Sequence, residues 1–194
     1  MKRVIFIIPG FWGEPREKIY KDIAALYKQK GLKPVIVKIP WERKVMSDYA
    51  DYFLKLVKKY EDSEINIFGW SFGAMISFIG ASKLKVKTLF LCSVSPYWKE
   101  DMKFILKSWA KGVGKRRMED FAKLSRIEIG KTVKAKKAVI LVGTMERDRM
   151  IKASKDIYDK LNSDKNLIII KGAGHNIARK KYFDEIKKQI NRLL

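Results

Sequence analysis

Along the chain, short runs of consecutive apolar residues alternate with longer segments whose apolar positions recur every three or four residues. The short runs are "RVIFIIP" (Arg3 to Pro9), "PVIVKIP" (Pro34 to Pro40), "INIFGW" (Ile65 to Trp70), "VKTLFLCSV" (Val86 to Val94), "KAVILVGT" (Lys137 to Thr144) and "NLIIIKGA" (Asn166 to Ala173). They are rich in β-branched residues and mostly apolar without alternation, as in strands covered on both faces of a parallel sheet. The longer segments read as amphipathic helices. Ile19, Ile23, Leu26 and Tyr27 share one face, as do Tyr49, Phe53, Leu56 and Val57, and again Phe183, Ile186, Ile190 and Leu193. Strand and helix in strict alternation predict an α/β fold with a doubly wound sheet.

One stretch breaks the rhythm. About forty residues separate Val94 from Lys137, too many for a simple crossover. Met102, Ile105, Leu106, Trp109 and Val113 fall at helical spacing there, while Lys99, Lys103, Lys107, Lys111 and Lys115 recur every fourth position. A second helix with Met118, Phe121, Ala122 and Leu124 follows "KGVGKRR". This segment, residues 96–135, reads as a helical cap inserted into a single domain spanning 1–194.

At 194 residues the chain is long enough for a full core, and 47% hydrophobic with 33% charged residues is a globular composition. Its one cysteine, Cys92, excludes an internal disulfide, lies in an apolar run and fits a reducing compartment. The first apolar run is broken at Pro9-Gly10, too soon for a signal peptide or a membrane span, so a cytoplasmic location is expected. The formal net charge of +22 attracts anionic partners. The basic residues are spread along the whole chain, as solvated helix faces would spread them.

Candidate chemistry centres on "GWSFG", Gly69 to Gly73. A G-x-S-x-G match arises by chance in about one chain of this length in fifteen to twenty, so the motif alone is weak. Its context is more specific: a strand runs directly into it and a helix (Ala74 to Ala81) directly out. Such an elbow strains the serine backbone and exposes Oγ at the carboxyl edge of the sheet, beside a helix N-terminus. Serine requires a base, and the only histidine, His175, follows the last strand in "GAGH". Parallel strands bring both loops to one edge. A carboxylate to orient the imidazole is expected in "VGTMERDRM", where Glu146 and Asp148 compete.

Taken together, "IIPGFWG", "GWSFG", "VGTME" and "GAGH" resemble the α/β-hydrolase fold family over nearly the whole chain. The resemblance implies a three-layer sandwich of six parallel strands in the order 2-1-3-4-5-6, the family's two leading antiparallel strands being absent. It implies Ser71 as nucleophile, His175 as base and Glu146, three residues after Gly143, as acid, with Asp148 the alternative. It also implies oxyanion donors at the backbone N–H groups of Phe72 and Phe11, with Trp12 the alternative to Phe11. Pro9 stands where the family has a histidine that is not the base.

The implied reaction is hydrolysis of a carboxylic ester or thioester through an acyl-enzyme, with no cofactor and no metal, since one His and one Cys give no ligand spacing. Phe11, Trp12, Trp70, Phe72, Trp98 and Trp109 are candidate walls of the substrate site. "GWSFG" and "SVSPYW" locally resemble pimeloyl carrier-protein methyl ester esterases, and by that resemblance the lysine row of the cap would dock an acidic carrier protein. The competing class is a basic module on a hydrolase-like fold that binds nucleic acid or an acidic protein without catalysis. Against nucleic acid, the aromatics sit in apolar runs rather than among the basic residues.

Overall fold

The computed structural model describes residues 1–42 and 44–193; the side chains of Ser108 and Trp109 lie outside the described set, and with them the expectation for Trp109. Six strands, β1 (Lys2–Ile8), β2 (Lys33–Ile36), β3 (Ser63–Trp70), β4 (Lys85–Cys92), β5 (Lys134–Gly143) and β6 (Asp164–Ile170), form one sheet in the order β2-β1-β3-β4-β5-β6. Every adjacent pair is parallel. The expected order is the observed one.

The consecutive apolar residues of β1 are divided between two faces, as a side-chain period of two requires. Ile5 and Ile7 pack with α1 (Lys18–Gln29) and α8 (Lys180–Leu193), through Ile23, Tyr27, Ile186 and Ile190. Val4, Phe6 and Ile8 pack on the other face with α2 (Met46–Val57), α3 (Phe72–Lys83) and α7 (Asp148–Lys160). Helix α3 is buried at every position from Gly73 to Ala81, which explains why its sequence carries no polar stripe. Edge strand β6 departs from the expectation of two covered faces: it is only partly buried, and Ile169 is 43% exposed.

Between β4 and β5 the chain forms a 3₁₀ segment (Lys99–Phe104), α4 (Lys107–Val113), α5 (Lys115–Phe121) and α6 (Arg126–Thr132). The first periodic stretch of the inserted segment is therefore not one helix. The backbone turns extended at Ile105 and Leu106, with ψ of 126° and 136°, and Leu106 is left 72% exposed. The lysine row is consequently divided among the 3₁₀ segment, α4 and α5 and does not form one helical face.

Two ties bind this segment to the core. Arg126, 1% exposed, is held by Asp101 at 2.6 Å, Asp156 at 2.6 Å and Glu100 at 3.6 Å. Asp120 accepts from the Ser47 N–H at the start of α2 (3.0 Å), while Arg117 donates to the Lys44 carbonyl (3.0 Å). Trp98, one of the expected site walls, belongs instead to the core, fully buried and edge-on to Phe78 with ring centroids 5.8 Å apart. No helix among the described residues is long and apolar enough to cross a membrane.

Candidate active site

The β3–α3 junction is a turn that only glycine can flank. A Cβ at Gly69 would fall on Ser77 Oγ and the Gly73 carbonyl, and one at Gly73 would fall on the carbonyls of Ile8 and Pro9. The strand, the helix and the end of β1 thereby approach to backbone contact. Ser71 between them has φ 57° and ψ −118°, a strained conformation for a side chain-bearing residue. The Ser71 N–H donates to the Cys92 carbonyl (2.9 Å), fixing the turn to the end of β4.

At the same sheet edge the loop after β6 carries His175 and the loop after β5 carries Glu146. His175 Nε2 lies 3.0 Å from Ser71 Oγ, and His175 Nδ1 lies 2.9 Å from Glu146 Oε2. A Cβ at Gly143 would collide with the backbone of Ala173, so this glycine lets the two loops touch. Trp70 Nε1 donates to the His175 carbonyl (3.1 Å), and its ring lies 5.4 Å from the imidazole at 37°. Glu146 has a fully buried side chain, whereas the His175 side chain is 44% exposed, so the imidazole is reached from solvent and the carboxylate is not.

Asp148 stands apart from this group as the first residue of α7, exposed, beside a cavity lined by Tyr97, Phe104 and Arg149. Phe11 and Phe72 are adjacent, with ring centroids 5.0 Å apart, and a Cβ on Gly10 would lie 3.4 Å from Ser71 Cβ. Phe11 and Trp12 are the central residues of a turn closed by the Gly13 N–H on the Gly10 carbonyl (2.8 Å). Trp12 takes φ 60° in that turn and is 56% exposed.

Several neighbours had no sequence signal of their own. Ser93, at φ 50°, donates to Glu146 Oε1 (2.6 Å), which also accepts the Gly143 N–H (2.8 Å). The Tyr182 hydroxyl lies 2.7 Å from Ser93 Oγ and 3.0 Å from the Leu141 carbonyl. Burial pushes the Tyr182 hydroxyl well above its ordinary range, with the Glu146 charge adding to the effect, so it stays a protonated donor. Ser95 Oγ lies 3.0 Å from Ser71 Oγ. The one available hint was "CSVSPYW", two serines at the carboxyl end of the strand beside the elbow.

Chemically, a carboxylate that accepts from Nδ1 fixes the tautomer with its lone pair on Nε2, opposite a serine hydroxyl. Among the described residues no group of three or more His, Cys, Asp or Glu side chains could hold a metal ion.

No family model and no curated sequence matches the chain. Solved structures do. Est1E from Butyrivibrio proteoclasticus, in a structure with ferulic acid bound, aligns over 98% of this chain and 88% of its own, with TM-score 0.82 and 14% identity. The mouse α/β hydrolase domain-containing protein 10 aligns over 97% and 88%, with TM-score 0.81 and 12% identity. A dienelactone hydrolase from Anabaena variabilis aligns over 99% and 85%, with TM-score 0.74 and 14% identity. The chain has the α/β-hydrolase fold.

Proposed function

We propose that the protein is a serine hydrolase of carboxylic esters or thioesters, with Ser71 as nucleophile, His175 as general base and acid, and Glu146 as the orienting acid. The observation that carries this reading is the unbroken hydrogen-bonded line from Ser71 Oγ through His175 to Glu146, at 3.0 and 2.9 Å. Structural neighbours with the same fold include hydrolases by name, which supports hydrolysis in general.

In this reading Ser71 Oγ attacks the carbonyl carbon while His175 Nε2 takes its proton, and the negative charge moves to the carbonyl oxygen. The N–H groups of Phe72 and Phe11 receive that oxyanion, and the close approach of Gly10 to Ser71 supports Phe11 ahead of Trp12. The imidazolium then protonates the leaving alcohol or thiol. Water, deprotonated by His175, cleaves the acyl-enzyme and regenerates Ser71. Glu146 is preferred to Asp148 because it meets Nδ1 and is itself held by Ser93 and Gly143. The segment over 96–135 acts as a cap above this edge, its Tyr97 ring 5.4 Å from that of Phe72.

The test is turnover of p-nitrophenyl esters and acyl thioesters by wild type and Ser71→Ala. Hydrolysis lost with the hydroxyl is the expected result. Hydrolysis that survives Ser71→Ala, or none by the folded wild type, removes the reading. Salt-sensitive binding of nucleic acid or of an acidic carrier protein by a protein without hydrolytic activity would establish the non-catalytic alternative.

A further inference from the structure

A cavity of about 400 Å³ is lined by Pro96, Tyr97, Phe104, Ile105, Leu106, Arg147, Asp148 and Arg149. Two of its lining segments continue in the chain from residues at the site. Pro96 and Tyr97 follow Ser95, whose hydroxyl touches Ser71 Oγ, and Arg147 follows Glu146. Tyr97, Phe104, Ile105 and Leu106 make part of the lining apolar, and Arg147 and Arg149 add two guanidinium groups.

Those guanidinium groups differ from other arginines near the inserted segment. Arg116 is paired with Asp48, Arg117 donates to backbone carbonyls, and Arg126 is surrounded by three carboxylates. Among the described residues no carboxylate lies within 4.0 Å of Arg147 or Arg149, and neither donates a hydrogen bond. Asp101, a buried carboxylate that feels the Arg149 charge, is already taken by Arg126 at 2.6 Å. Arg149 is half-buried and set 4.7 Å over the Phe104 ring, which holds its charge in the cavity wall rather than loose in solvent. Burial raises the Tyr97 phenol and the Arg147 charge partly offsets that rise. Asp148 also lines the space, so the lining is positive by two charges against one.

We propose that Arg147 and Arg149 make this cavity the binding site for an anionic group, a carboxylate or phosphate, carried on the substrate away from its scissile carbonyl. The inference rests on the hydrolase reading above and assigns its substrate class: anionic, amphiphilic esters or thioesters. The apolar part of the lining takes the hydrocarbon or aromatic spacer, and the guanidinium groups take the charge by bidentate hydrogen bonds. The +22 net charge works in the same direction by concentrating anionic solutes around the protein.

The experiment compares matched neutral and anionic esters with wild type, Arg147→Gln, Arg149→Gln and the double variant. One arm places the charge on the acyl group, with p-nitrophenyl hemiesters of dicarboxylic acids from succinate to suberate against simple p-nitrophenyl esters of equal length. The other arm places it on the alcohol, with 4-acetoxybenzoate against its methyl ester. The readout is the ratio of kcat/KM for the anionic to the neutral member, and comparing that ratio between variants cancels intrinsic reactivity. One arm should show a ratio that falls about tenfold or more in the double variant, as loss of a charge-assisted hydrogen bond implies, and that also falls with added salt. A ratio unchanged by the arginine substitutions in both arms overturns the inference while leaving the hydrolase reading intact. Turnover of none of these esters overturns it as well, and fluorophosphonate labelling of wild type against Ser71→Ala then shows whether the hydrolase reading falls with it.

Discussion

Replacement of Glu146 by Gln probes the role of the buried carboxylate with little change of shape. Three donors converge on the native side chain: His175 Nδ1–H on Oε2 (2.9 Å), and Ser93 Oγ–H (2.6 Å) with Gly143 N–H (2.8 Å) on Oε1. A glutamine has one oxygen for these two positions. With its oxygen kept between Ser93 and Gly143, its NH₂ faces Nδ1 and drives the histidine into the other tautomer, so that Nε2 carries a proton and no longer accepts one from Ser71. The reverse orientation restores the working tautomer but sets the NH₂ against two donors. Ser93 can rotate its hydrogen away and accept one amide hydrogen, but Gly143 N–H and the amide hydrogen facing it stay unpaired; at about 1–3 kcal/mol for each buried donor left unsatisfied, the productive form lies about 2–6 kcal/mol above the other. At about 1.4 kcal/mol per tenfold, kcat should fall between about 30-fold and about 20,000-fold. Because Gln still satisfies Gly143, stability should stay within about 1 kcal/mol of wild type. Ester turnover and urea denaturation of the variant, beside Asp148→Asn, measure both quantities. Activity within a few-fold of wild type, or greater damage from Asp148→Asn, would refute the assignment of Glu146.

The remaining predictions concern the scaffold. Gly69→Ala forces a Cβ onto Ser77 Oγ and the Gly73 carbonyl and should cost about 1–3 kcal/mol in urea denaturation while lowering the rate of Ser71 acylation; an unperturbed variant would show that the elbow has slack. Arg126→Met leaves Asp101 without its cation in a nearly dry site, while Asp156 keeps only Lys152, and should destabilise by about 3–5 kcal/mol; a loss below 1 kcal/mol would mean that the tie is dispensable. Burial and the Glu146 charge push the Cys92 thiol well above its ordinary range, so the native protein should resist thiol reagents at about pH 8 and react only on unfolding. Fast native labelling of Cys92 would contradict that burial.

Sequence carried the parts of this structure that arise from local pattern. The β-branched runs became strands, those of β1, β3, β4 and β5 covered on both faces, and the single histidine and the serine flanked by glycines reached the same edge because parallel strands end together. Strand limits were less legible. β5 begins at Lys134 rather than Lys137 because Lys85 and Val86 of β4 pair with Lys134 and Ala135, a register that no local feature of "KAKKA" announces. β2 stops at Ile36, where its pairing with Ile7 ends, although the apolar run continues to Pro40. The periodicity from Met102 to Val113 suggested a continuous helix, whereas the chain turns extended at Ile105 and Leu106. Ser93 and Ser95 could not be singled out, since what places their hydroxyls against Glu146 and Ser71 is the register of β4 beside β3 and, for Ser93, a positive φ.

The central claim is that Ser71 is an activated nucleophile, and labelling with a fluorophosphonate followed by mass-spectrometric mapping tests it most directly. The account predicts a single phosphonylated residue, Ser71, with labelling abolished in Ser71→Ala and slowed by orders of magnitude in folded His175→Ala. Label at another residue, label on Ser71 at an undiminished rate without His175, or no label on the folded wild type would contradict it.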